Sequence, residues 1–226
     1  MKNLMNLINV GTWNGIYTEG RSLLVFPDEV VVSFLNKNRG CIRKGVDIAC
    51  GAGRHTILMA QMGIEALGID GSKAAIDFAE KRAKRFALNN ITFQNELVQN
   101  LEFPEELFDL VICWGLFHYL SSEEQDALVK KIWKILKPKG FLLGTLRSTE
   151  DSRIEQGKKV NERQYLINYF DPKSKTPKKT MMEFWDKTGV EMFLQIFADI
   201  RTGHRIVEPI GELGNKAAHW LFSAQK

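Results

Sequence analysis

Residues 46–56 read VDIACGAGRHT: a short apolar run, a turn built on Gly51-Ala52-Gly53, and the start of a segment with helical spacing. A glycine turn between a strand and a helix lets a ligand approach the backbone closely, because glycine has no Cβ. A dinucleotide site asks for a third small residue three positions after the second glycine, where helix and strand pack beside the pyrophosphate. That position is Thr56 here, and Arg54 and His55 stand bulky and polar in the turn. No Gly-Lys-Ser/Thr follows, so the P-loop reading fails as well. Asp47 lies inside the strand, near its end. A carboxylate there repels pyrophosphate and welcomes an ammonium or sulfonium group.

Outward from this turn, strand and helix patterns alternate from Lys44 to Leu146. GVDIAC (45–50), EALGID (65–70), ITFQN (91–95), FDLVICWG (108–115) and PKGFLLGTLR (138–147) read as strands. The fourth is very apolar, as suits a strand buried on both faces. RHTILMAQM (54–62) has helical spacing. SKAAIDFAEKRAKRFAL (72–88) is amphipathic, with Ala75, Phe78, Ala79 and Ala83 turned inward. SSEEQDALVKKIWKILK (121–137) opens on serine caps and acids and closes on lysines, in accord with the helix dipole. Such alternation implies right-handed crossovers and a parallel sheet, with ligands bound at the carboxyl ends of the strands. Asp70 ends the second strand, where an acid can take two ribose hydroxyls. Each acid alone fits a helix cap equally well. Placed at two strand ends, they favour binding of a nucleoside that carries positive charge and no phosphate.

The expected fold class is therefore α/β: one Rossmann-like, doubly wound, mostly parallel sheet in a single domain spanning 1–226. Residues 1–40 are expected to form an N-terminal helical cap, with a helix from about Pro27 to Lys37. Residues 44–146 form the core. Residues 147–180, polar and rich in Lys and Arg, form a lid-like insertion. Residues 181–226 supply a helix near Met182–Phe197 and an antiparallel edge pair, DIRTGHRIVE (199–208) and HWLFSAQK (219–226).

Four segments carry a resemblance: VDIACGAGRHT, ALGIDGS, FDLVICWGLFHYL and LKPKGFLLGT, covering roughly residues 44–146. Their order and spacing resemble the class I S-adenosylmethionine-dependent methyltransferases. The GAGRHT turn and the terminal HWLFSAQK look most like the small bacterial tellurite-resistance-like and methyltransferase-domain groups. The resemblance implies S-adenosyl-L-methionine as cofactor and S-adenosyl-L-homocysteine as product. It implies that Asp47 orients the methionine amino group, above a turn lined by Gly51 and Gly53. It gives Asp70 the ribose hydroxyls, Gly71 a place beside the adenosine, the Val98 amide to adenine, and the Cys113 carbonyl to the amino group. Ala49 and Arg54 complete the turn side of the expected cofactor site. Two positions depart from the family pattern. Ala49 stands where the first glycine is usual. Leu97 stands where an acid often contacts the adenine amino group, with Glu96 as the adjacent substitute.

Methyl transfer is an in-line displacement, so the protein has chiefly to align nucleophile, carbon and sulfur. A general base matters only for a weakly acidic acceptor. His118, just past the fourth strand, is the candidate catalytic residue, and His55 is a second group beside the turn. His204 and His219 read as structural or rim residues, and Trp114 as core. Trp13, Tyr17 and Arg21 are spaced by four and share a face if helical. Trp13 would then attract a sulfonium and Arg21 would pair with the cofactor carboxylate. The alternative is an amphipathic segment packed on the sheet, with Arg21 solvated.

The acceptor is expected to be a small molecule, methylated on O or N. CWGL replaces the Asp/Asn-Pro-Pro-aromatic sequence of amino-methylating nucleic-acid enzymes, and no Pro-Cys nucleophile is present. The net charge of +4 and the basic insertion leave an RNA-modifying enzyme as the alternative, and a non-catalytic cofactor-binding protein as another. Three cysteines, Cys41, Cys50 and Cys113, form no C-x-x-C pair. They point to a reducing, cytoplasmic setting with no structural metal. No apolar run reaches the ~20 residues of a membrane helix, and MKNLMNLINVGTW lacks the apolar core of a signal peptide. The oligomeric state is left open.

Overall fold

The computed structural model describes residues 2–170 and 177–226. The chain opens with two helices, α1 (Lys2–Thr18) and α2 (Glu29–Lys37). It then alternates through β1 (Lys44–Ile48), α3 (Arg54–Gln61), β2 (Glu65–Asp70), α4 (Lys73–Arg85), β3 (Ile91–Asn95), β4 (Phe108–Cys113), α5 (Ser122–Ile135) and β5 (Leu136–Arg147). A short helix α6 (Arg153–Gln156) leads to β6 (Gly157–Lys159), β7 (Gln164–Phe170) and β8 (Pro177–Glu183). The chain closes with α7 (Lys187–Phe193), β9 (Ala198–Val207) and β10 (Ala217–Gln225).

Seven strands form one sheet in the order β3-β2-β1-β4-β5-β10-β9. The pairs among β1 to β5 are parallel, while β10 runs antiparallel to both β5 and β9. Both faces are covered, and the parity of β4 shows how. Val111 and Cys113 pack with α5 and α7 residues such as Leu128, Ile132 and Val190. Leu110 and Ile112 point the other way, onto Val31 and Leu35 of α2 and Met59 and Ala60 of α3. Residues of alternate parity on a strand face opposite sides of the sheet. The α/β, mostly parallel, Rossmann-like sheet with its antiparallel edge pair is thus as the sequence reads.

Caps fix the helix starts. The Asp28 side chain accepts from Val30 N–H, and the Ser72 side chain from Ala75 N–H. Ser121 and Glu124 form a reciprocal capping box on α5. Two expected elements differ. The helix expected near Met182–Phe197 is the shorter α7, because Met181 to Glu183 pair in β8 and Asp186 caps a new start by accepting from Gly189 N–H. The lid-like insertion carries an antiparallel sheet, β6-β7-β8, whose strands the sequence reading did not assign. Part of its basic run, Lys173 and Lys175 with Pro172, lies outside the described residues. Among the described residues no helix is long and apolar enough to cross a membrane.

The N-terminal segment is tied down by specific bonds. Asn9 of α1 is buried; its amide donates to the Tyr119 carbonyl at 2.8 Å, and its oxygen accepts from the Thr180 hydroxyl of β8 at 3.0 Å. Asn14 accepts from the Ser72 hydroxyl at 2.8 Å. These bonds hold α1 across the carboxyl ends of the parallel strands.

Candidate active site

A cavity of about 500 Å³ opens at the carboxyl edge of the sheet. Its walls come from the ends of consecutive strands: Ile48 and Ala49 at the end of β1, Ile69 to Ser72 at β2, and Glu96 to Gln99 after β3. Trp114 to Leu116 follow β4, and Thr145 and Arg147 end β5. Trp13 and Tyr17 of α1 form the cover. This is where an open α/β sheet places its ligands.

The β1 turn is tight. Ala49, Gly51 and Gly53 have φ of 61°, 54° and 73°, the left-handed region that glycine enters freely and alanine at a cost. Gly51 faces the cavity beneath Tyr17: a Cβ built there would lie 2.7 Å from the tyrosine oxygen. Gly53 does not line the cavity. A Cβ there would lie 2.9 Å from Cβ of Ala79 and 3.0 Å from the Phe93 ring, so Gly53 lets β3 and α4 pack against the turn.

Asp70 and Asp47 part ways. Asp70 is on the cavity wall, with Oδ2 accepting from Gly51 N–H and Oδ1 from Ser72 N–H, both at 2.8 Å. The two backbone donors fix the carboxylate and lower its pKa; burial outweighs them and raises it. Asp47 is 1% exposed and off the cavity wall. It stands one residue before the strand end, so its parity turns it under the turn, where it accepts from the Thr56 hydroxyl at 2.9 Å. Burial pushes its carboxyl up to about 7, against the Thr56 bond and the nearby Arg54.

Two further expected residues lie elsewhere. Arg21 is not on the cavity wall and pairs with Glu19. The spacing from Tyr17 needs a continuing helix, but α1 ends at Thr18 and Gly20 follows at φ 71°. Cys113 is wholly buried, because β4 ends there and the next residues, Trp114 and Gly115, form the mouth. Trp114, expected as core, packs against the core beside α2 and α3 and also lines the cavity, edge-on to His55 at 5.8 Å. Trp13, Ala49, Gly51, Arg54, Asp70, Gly71, Val98 and His118 all line the cavity.

His55 has a structural bond: its Nε2 accepts from Asp28 N–H at 3.2 Å, and burial, then Arg54, lowers its pKa to about 3. His118 is 2% exposed, and its Nδ1 is buried with no hydrogen-bond partner. Burial first, and then the Arg147 charge, holds it neutral. The sequence reading missed Asn9, Tyr119, Thr145, Arg147 and Arg205 on the wall, and took His219 for a rim residue. Their signal lies in strand register: Arg147 of β5, His219 of β10 and Arg205 of β9 are direct partners across three strands.

Residues 46–140 match the family profile described as "Methyltransferase domain". These residues are a methyltransferase domain of the class I, S-adenosylmethionine-dependent kind. The chain is 28% identical over 112 residues to the uncharacterized methyltransferase YcgJ of Bacillus subtilis, covering 49% of this chain and 44% of that protein. It is 33% identical over 112 residues to the phosphoethanolamine N-methyltransferase of Plasmodium falciparum, covering 49% of this chain and 40% of that one. The chain thus spans less than half the length of these curated relatives. Among solved structures, the Burkholderia thailandensis 1,6-didemethyltoxoflavin-N1-methyltransferase, with that compound and S-adenosylhomocysteine bound, superposes with TM-score 0.73 at 14% identity, over 100% of this chain and 90% of that one. At that identity the likeness concerns the fold. The relatives carry different activities, so the class is placed and the tellurite-resistance-like subgroup is not.

The cavity fits the cofactor of this class. Its volume falls within the roughly 300–1,000 Å³ usual for small-ligand sites. Asp70 offers a fixed carboxylate, and Leu97 and Val98 offer an apolar edge. Trp13 sits 5.7 Å from Tyr17 and 5.5 Å from Tyr119, ring centre to ring centre, an aromatic group suited to a sulfonium.

Proposed function

We propose that the protein transfers a methyl group from S-adenosylmethionine to an O or N atom of a small molecule. The observation that carries this reading is Asp70: a carboxylate locked by two backbone N–H groups at the end of β2, on the wall of a cavity closed by aromatic residues. Asp70 takes the ribose hydroxyls, Gly71 lies beside the adenosine, and Val98 meets the adenine. Ala49 and Gly51 supply the close backbone under the methionine portion. Arg54 takes the cofactor carboxylate in place of Arg21; among the described residues no carboxylate stands within 4 Å of it, and it donates to the Phe26 carbonyl at 3.4 Å. Asp47 and Gly53 support the turn from behind.

When bound, S-adenosylmethionine would supply an electrophilic methyl carbon, open to in-line attack by an acceptor lone pair as the carbon–sulfur bond breaks and S-adenosylhomocysteine leaves. The chain's part is alignment and exclusion of water, which in near-attack geometry contributes on the order of 7–11 kcal/mol. Trp13, Tyr17 and Tyr119 cover the reacting end. His118 accepts the acceptor's proton at its unpartnered Nδ1. Its burial makes it a weak base, which suffices because that proton becomes acidic as the new bond to carbon forms. Small acceptors are in keeping with the cavity's size and with the names of the Plasmodium and Burkholderia enzymes.

The test is transfer of label from methyl-tritiated S-adenosylmethionine to a panel of small hydroxyl and amine compounds, with single-stranded RNA as control. The reading expects label on a small molecule and at least about a hundredfold slower transfer to a hydroxyl by His118→Asn. Label on RNA alone would overturn it.

A further inference from the structure

The cavity has two electrically different ends. Asp70 and Glu96 mark the end beside β2 and β3. The opposite end is built by Arg147, His219 and Arg205, register partners on β5, β10 and β9. Direct cross-strand partners project on one face of a sheet, and all three residues line the cavity.

Charge does not balance at this end. Arg147, 7% exposed, donates through Nη1 to Asp151 at 2.6 Å. Arg153 reaches the same Asp151 oxygen at 3.2 Å, so two cations share one carboxylate, which also accepts from Ala218 N–H at 2.9 Å. Arg205 forms a two-pronged pair with Asp28, at 3.1 and 2.9 Å. Burial first, and then the Arg147 charge, holds His118 and His219 neutral, with Asp151 opposing at His219. Two nitrogens here are buried without partners: Arg147 Nε, which can only donate, and His118 Nδ1, whose ring centre lies 6.2 Å from that of His219. A buried cationic N–H left without an acceptor is costly unless a ligand supplies one.

Resting on the methyltransferase reading, we infer that this corner seats an oxyanion of the methyl acceptor, a carboxylate or a phosphate. Arg147 is its direct donor, Arg205 adds charge, and the acceptor's nucleophile turns toward His118. The acceptor class is thus a small anionic hydroxyl or amine compound, and Arg147 determines specificity rather than chemistry.

The test titrates protein loaded with S-adenosylhomocysteine with acetate, inorganic phosphate and neutral acetamide, read by the histidine ring ¹H–¹⁵N signals. The His118 and His219 signals should shift saturably with an oxyanion and not with acetamide. The His204 signal, which belongs to a ring stacked on Trp220 off the cavity wall, should stay in place. Saturation by acetate alone marks a carboxylate acceptor, and by phosphate alone a phosphate. Arg147→Gln should weaken oxyanion binding by roughly tenfold or more, and Arg147→Lys, which keeps a charge opposite Asp151, should recover part of it. If Arg147→Gln does not fold, Arg205→Gln serves, with a loss of about threefold or more expected. Equal shifts with acetamide, no saturable shift, or unchanged affinity in the folded variants would overturn the inference. Affinity for S-adenosylhomocysteine, measured on the same samples, separates the failures. Wild-type protein that binds it and ignores oxyanions overturns this inference alone. Wild-type protein that does not bind it overturns the methyltransferase reading and this inference with it.

Discussion

Ala49 is where the chain departs from the glycine-rich turn of its class, and its φ of 61° shows the consequence. Alanine in the left-handed region costs roughly 1–2 kcal/mol, whereas replacement by glycine loosens the unfolded chain by about 0.4–1 kcal/mol. Ala49→Gly should therefore leave stability in urea equal or higher by up to about 1.6 kcal/mol; a loss beyond ~0.5 kcal/mol would contradict the strain at this residue. Asp47 gives a prediction with a pH sign. Its folded pKa, about 7, lies above the ordinary 3.8 because it is buried. Its contribution to stability is full below about pH 4 and is lost as pH rises through about 7. Asp47→Asn keeps an acceptor for Thr56 and removes that titration. Relative to wild type, the variant should gain stability between pH 5 and pH 8 in urea unfolding, whereas a pH-independent difference would refute the assignment. Asp47 and Asp70 looked alike as two acids near strand ends. Only the parity of the strand and the tertiary position of α3 decide that one reaches the cavity and the other props the turn.

The elements of the core were legible because each satisfies a local rule: apolar strands of five or six residues, capped helices, a glycine turn. The cover was legible in part. Trp13 and Tyr17 share a helix face as their spacing implies, but the helix stops before Arg21. The β6-β7-β8 sheet has no comparable signature, since it depends on bonds from far along the chain, Thr180 to Asn9 and Glu183 to Ser122. Asn9 is thus a test of the cover as an element. Asn9→Ala leaves the Tyr119 carbonyl and the Thr180 hydroxyl unpaired, a cost of about 1–3 kcal/mol to docking of α1. Amide exchange should quicken in α1 while the central strands keep their protection, and S-adenosylhomocysteine should bind roughly tenfold more weakly. Uniform protection and unchanged affinity would show that α1 does not cover the site.

At the scale of the whole molecule, the far wall of the cavity was illegible for a physical reason. Arg147, Arg205 and His219 are separated by up to 72 positions, and only the register of β5, β10 and β9 aligns them. The near wall, from Asp70 to Val98, follows from the strand order that the alternation implies. This near wall should hold S-adenosylmethionine through Asp70. Calorimetric titration with S-adenosylmethionine and S-adenosylhomocysteine, with NAD as control and Asp70→Ala as variant, tests it most directly. The first two should bind and NAD should not, with a loss of roughly 10- to 100-fold in the variant, the worth of one or two bonds to a charged group. Absence of binding by both sulfur compounds, or an Asp70→Ala protein that binds them as tightly as wild type, would contradict it.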